Sequence, residues 1–201
     1  RALARRSRGA SMTVLGDLAQ ATAPAAQESW EAAIAHLGAP PTAQRADLDV
    51  GYRVPASIMD MANGLLAIGA PDVTPCRSVR LDGREPSFVA VAPDDGGALG
   101  GVVHRAVADL AAGYATVGVV VPRSLRDALG DVTGATVLDP PDAKGLEFDA
   151  VVVVEPAAIA GDTARGLRML YVALTRAVQE LVVVHAQPLP GGRWAPSRPA
   201  A

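Results

Sequence analysis

Four short stretches of the 201-residue chain combine side chains of a type and spacing that can do chemistry. GDLAQ, Gly16 to Gln20, directly follows the apolar run Met12 to Leu15. If that run is a buried strand, Asp17 and Gln20 emerge on a loop at its carboxyl end, where polar side chains can meet a nucleotide. Tyr52 and Arg53 follow the strand-like RADLDV and set a planar ring beside a fork-shaped cation. In KGLEFDAVVV, Lys144 to Val153, Gly145 permits close backbone approach to a ligand and Glu147 offers a carboxylate. LYVALTRA, Leu170 to Ala177, brings a further arginine, Arg176. Three of them have a plainer reading beside the chemical one: Gln20 and Arg176 as surface residues, and KGLEF as a strand-entry turn with solvated charges.

The elements that must position these groups are legible as alternating patterns. Valine-rich runs at Met12 to Leu15 and from Phe88, Val117, Val151 and Leu181 predict strands buried on both faces. Helical spacing predicts helices over about Gln27 to Leu37, Pro55 to Ile68, Gly97 to Ala112 and Thr163 to Val178. Pro55 suits a first-turn position, and Asp162 or Thr163 can cap the last helix. Alternating strands and helices imply an α/β fold, a mainly parallel sheet flanked by helices, with ligand loops beyond the carboxyl ends of its strands. On a helix extending to Val178, Leu167, Leu170, Tyr171, Leu174 and Val178 form one stripe, and Arg176 lies almost opposite it.

Composition narrows the function classes. Half the residues are apolar and 19% charged, with a net charge of -3, which describes a globular domain and argues against a nucleic-acid-coating protein. Of 18 basic residues only Lys144 is lysine, a bias attributable to genome composition, and its place within KGLEF mildly disfavours the plain reading of that turn. A single cysteine, Cys76, excludes an internal disulfide and a cysteine-based zinc cluster, and His36, His104 and His185 are too scattered to suggest a metal site. No apolar run is long enough for a membrane span, no signal peptide is visible, and a cytoplasmic location is the default.

In their order the four stretches resemble motifs III, IV, V and VI of superfamily 1 helicases of the UvrD/Rep type. The resemblance implies the second RecA-like (2A) domain of a P-loop NTPase-type motor at 27–190, preceded by a remnant of the first at 1–26 and followed by a flexible tail at 191–201 that contains Trp194. It implies ATP as ligand, with Tyr52 stacking on adenine, Glu147 on the ribose hydroxyl, Gln20 sensing the γ-phosphate and orienting water, Arg53 reaching the γ-phosphate, and Arg176 as an arginine finger. Asp17 and Gly145 join the nucleotide-binding set, while Arg168 is expected to meet solvent or phosphate. Where the family usually has Asn, this chain has Gly51. No GxxxxGK[ST] loop and no acidic pair for Mg2+ precede GDLAQ, so those ligands are expected upstream, and these residues alone are expected not to turn ATP over.

Two departures narrow the resemblance. The stretch between Tyr52 and Lys144 is filled by predicted elements, so a large inserted 2B subdomain cannot fit. GDLAQ is followed by ATAPAA, without the aromatic that stacks on bases of a tracked strand. Together with SWEAAIAHLG, RSVR and the ending VVVVEP…GLRMLYVALTRAVQELVVVHAQPLP, these look like the HelD group of RNA-polymerase-associated helicase-like ATPases. That resemblance implies an N-terminal ATPase domain of the same protein and core RNA polymerase as partners, in a bacterial cytoplasm and near the nucleoid. A DNA helicase or translocase with nucleic acid as partner is the alternative, and a degenerate domain that only binds a partner is the third reading.

Overall fold

A computed structural model describes residues 5–7, 12–27, 29–38, 43–92 and 96–191, without the side chains of 96 and 97. The expected tail from 192 onward, with Trp194, and most of the arginine-rich start lie outside the described residues. In chain order the elements are α1 (Trp30–Leu37), β1 (Val50–Gly51), α2 (Ala56–Gly69), β2 (Arg77–Ser78), β3 (Ser87–Ala90), α3 (Gly96–Ala111), β4 (Val117–Val120), α4 (Arg123–Leu129) and β5 (Thr136–Leu138). A 3-10 turn at Pro140–Ala143 leads to β6 (Phe148–Val154), α5 (Pro156–Ala160), α6 (Ala164–Leu174) and β7 (Ala177–His185).

Five strands form one sheet in the order β3-β7-β6-β4-β5, and every neighbouring pair is parallel. Strands β4 and β6 are buried throughout apart from Asp149, as expected for valine-rich strands covered on both faces. Alternation along β6 divides the core into two layers. Val151 and Val153 pack with α2 and α6, whereas Ala150, Val152 and Val154 pack with α3 and α4 residues such as Val103, Val107 and Leu129. A separate two-stranded parallel pair, β1 with β2, sits beside this sheet.

Three expectations are corrected. Met12–Leu15 is not a strand: among the described residues no neighbouring strand offers it backbone partners, and Leu15 is 86% exposed. Of RADLDV only Val50 joins a strand. The last helix stops at Leu174 rather than Val178. Thr175 turns its hydroxyl back to the carbonyls of Tyr171 (2.9 Å) and Val172 (3.2 Å), and the carbonyl of Arg176 accepts from the amide of Phe148 (3.0 Å), so the chain has already entered pairing with β6. The start of α6 is as expected, with the hydroxyl of Thr163 accepting from the amide of Gly166 at 3.0 Å. Pro55 immediately precedes the first residue of α2.

Candidate nucleotide site

The structure gathers the candidate residues at the amino ends of β6 and β7, opposite to the carboxyl ends where open α/β sheets usually hold ligands. Glu147 immediately precedes β6, and Arg176 immediately precedes β7. Because β6 and β7 are parallel neighbours starting in register at Phe148 and Ala177, those two residues are brought side by side. The loop after β1 completes the cluster, with Arg53 forming an ion pair with Glu147. The ring of Tyr52 stands 74% exposed.

Arg176 is not the surface arginine that a continued helix would make it. Only 4% of it is exposed. Its Nε donates to the carbonyl of Val172 (2.9 Å), Nη1 to the carbonyl of Leu146 (3.1 Å) and Nη2 to the hydroxyl of Thr175 (3.1 Å). The guanidinium thus stitches the C-terminus of α6 to the KGLEF turn. A guanidinium has five N–H donors, so these bonds still leave one on each terminal nitrogen. Burial first, and then the charge of Arg53, pull its pKa below the ordinary arginine value, against the opposing pull of Glu147, Tyr171 and Asp17.

The GDLAQ loop is shaped by its own side chains. The Asp17 carboxylate accepts from the amide of Ala19 (2.9 Å) and from the Gln20 carboxamide (2.8 Å), so Asp17 orients Gln20. Three cations then grip three successive carbonyls: Lys144 Nζ on Gln20 (2.8 Å), Arg168 Nε on Ala21 (3.1 Å) and Arg165 Nε on Thr22 (2.6 Å). Arg168 also donates to the carbonyl of Gly69 (2.8 Å) and is buried, contrary to the expected contact with solvent or phosphate. Sequence reasoning missed Lys144 and Arg165 as anchors of this loop; the only available signal was that the single lysine falls inside KGLEF.

Asp17, Gln20, Tyr52, Arg53 and Arg176 line one cleft of about 1380 Å3, whose walls also include Cys76 and Tyr171. Gly145 has φ +84°, a left-handed conformation that favours glycine, and open space where a side chain would begin. At Gly51 a Cβ would stand 3.0 Å from the Cys76 sulfur, so a larger residue there requires that thiol to shift. The Cys76 thiol is pushed up by burial and by Asp17 and Asp49, which keeps it protonated. Among the described residues no group of three His, Cys, Asp or Glu could hold a metal ion.

An aromatic face, two arginines, a carboxamide and a carboxylate converging on a cleft can bind a planar base and stabilise phosphate charge. Residues 134–184 match the family model of the UvrD-like helicase C-terminal domain. That UvrD-like segment contains Gly145, Glu147 and Arg176, whereas Asp17, Gln20, Tyr52 and Arg53 lie before it. Among solved structures, the C-terminal domain of a possible DNA helicase from Lactobacillus plantarum WCFS1 is similar in fold, at 22% identity and a TM-score of 0.51, over 70% of this chain and 91% of that one. The five-stranded parallel sheet flanked by helices is therefore an α/β fold of the kind found in that C-terminal domain. No curated protein matches the chain. No helix among the described residues is long and apolar enough to cross a membrane.

Proposed function

We propose that this chain supplies the second half of a shared ATP site in a superfamily 1 helicase-like ATPase. The observation that carries the reading is the convergence of Arg53, Glu147 and Arg176 at the amino ends of two adjacent strands, beside the cleft lined by Gln20 and Tyr52. Tyr52 offers adenine a face, and Glu147 accepts a ribose hydroxyl once Arg53 has moved to phosphate. Gln20, oriented by Asp17, holds the attacking water, and Arg53 with Arg176 offsets charge on the transferring phosphoryl group. Gly145 lets the backbone of the KGLEF turn approach the nucleotide. The phosphate loop and the Mg2+ ligands belong to an N-terminal ATPase domain of the same protein, as the resemblance of the four stretches to motifs III to VI implies.

The working partner is core RNA polymerase, and ATP-driven closure of the two RecA-like domains releases it. Support comes from the resemblance of the sequence to the HelD group and from the alanine-rich, aromatic-free stretch after GDLAQ. The test is ATP hydrolysis by the full-length protein, wild type and Arg176→Ala, with core RNA polymerase or single-stranded DNA added. Stimulation by polymerase alone, lost in the variant, is the expected result. Stimulation by DNA alone makes the protein a helicase or translocase, and hydrolysis indifferent to Arg176 removes it from the site.

A further inference from the structure

The loop carrying Tyr52 and Arg53 leaves β1 after Gly51 and, among the described residues, has no strand partner of its own. It is held instead by the segment Arg77 to Arg80. Main-chain bonds join Arg77 N to Asp49 O (2.7 Å), Val79 N to Gly51 O (3.0 Å) and Ala56 N to Arg80 O (2.8 Å). The buried hydroxyl of Ser78 donates to the carbonyl of Val54 at 2.6 Å and accepts from the amide of Arg80 at 3.1 Å. Beyond this frame, one side chain reaches both halves of the site. Arg80 Nη1 donates to the carbonyl of Arg53 at 2.7 Å and also to the carbonyl of Val178 in β7, while Arg80 Nε donates to Asp82 at 3.0 Å. Val178 lies two residues past Arg176, so a single guanidinium joins the backbone beneath Arg53 to the strand that Arg176 immediately precedes.

We infer that Arg80 is a positioning residue for nucleotide binding: it fixes the distance between the Tyr52–Arg53 loop and the Arg176 end of β7. The inference rests on the nucleotide reading of the site. The chemistry favours arginine, because a planar fork serves carbonyls and a carboxylate at once, whereas an ammonium on a flexible stem does not hold the same spacing. With most of its surface covered, Nη1 directed at two main-chain oxygens and Nε at the Asp82 carboxylate, Arg80 acts through the loop and not on the ligand.

The experiment measures kcat and KM for ATP in the full-length protein, for wild type, R80A, R80K and Y52A/R53A, and for R80A combined with Y52A/R53A. Thermal melting is recorded for each. R80A is expected to lower kcat/KM for ATP about tenfold, through kcat as well as KM because Arg53 and Arg176 face the transferring phosphoryl group, with R80K between it and wild type. In the Y52A/R53A background the same R80A change is expected to alter kcat/KM less than about twofold, because the loop it positions no longer carries the contacts. An unchanged kcat/KM in R80A, or an equal factor in both backgrounds, overturns the inference. Wild-type kcat/KM in Y52A/R53A overturns the nucleotide reading itself and this inference with it. If R80A does not fold, R80Q replaces it and is read by the same outcomes.

Discussion

Arg53, which lines the cleft, and Glu147, 94 positions further along the chain, form an ion pair. Both side chains are substantially exposed, at 65% and 38%, so water screens the pair and its contribution to stability is small. Glu147→Gln is therefore expected to change the free energy of unfolding by less than about 1 kcal/mol in urea titrations. A loss well above that would mean the pair holds the fold together and is not poised to exchange partners.

Replacing Arg176 should behave differently, because its guanidinium is buried against the carbonyls of Val172 and Leu146. Arg176→Ala leaves those acceptors without a donor and should destabilise by about 2–4 kcal/mol, where a surface arginine would change stability by about 0.5 kcal/mol or less. Arg176→Lys should recover less than half of the loss, since an ammonium cannot span three acceptors set out for a fork. Denaturant midpoints for both variants measure this, and a loss of about 0.5 kcal/mol or less for the alanine variant would contradict the packing described.

Asp149 interrupts the apolar run of β6 and faces Thr116 and Gln179. Hydrogen bonds from the Thr116 hydroxyl and amide, and then from Gln179, hold its carboxyl below the ordinary value of 3.8. A depressed pKa in the folded state means that the carboxylate stabilises the fold above the unfolded pKa, and that this contribution disappears as pH falls through the folded value. Asp149→Asn should therefore melt below wild type at neutral pH, and the gap should narrow once pH drops beneath 3.8. Melting curves taken in parallel from pH 7 to pH 3 test it; a gap that widens in acid contradicts the assignment.

Gly166, in the first turn of α6, passes so close to α5 that a Cβ would lie 1.7 Å from the carbonyl oxygen of Ala160. Backbone cannot yield by that amount, so Gly166→Ala should cost about 3 kcal/mol or more, or abolish soluble expression. Gly101→Ala, on α3 with open space around the new methyl, is the control and should be neutral or slightly stabilising. Similar melting temperatures for the two variants would show that the α5–α6 contact is looser than described.

Local patterns in the chain determined the alternating architecture, because valine runs from Val117 and Val151 and the helical stripe Leu167, Leu170, Leu174 bury themselves in only one way. They also picked out the short stretches whose polar side chains, Asp17, Gln20, Arg53 and Arg176, line one cleft. Periodicity could not tell that α6 ends at Leu174, since the stripe continues to Val178. What ends it is a bond across the sheet, from the amide of Phe148 to the carbonyl of Arg176, made by residues far apart in the chain. The same applies to Met12–Leu15, whose strand-like composition finds no neighbour among the described residues, and to Lys144, Arg165 and Arg80, whose targets are main-chain carbonyls without sequence identity. Side-chain type and spacing set local conformation, but only the parallel pairing of β6 with β7 decided that Glu147 and Arg176 share a corner, because register between distant segments is settled by the packing of the whole sheet.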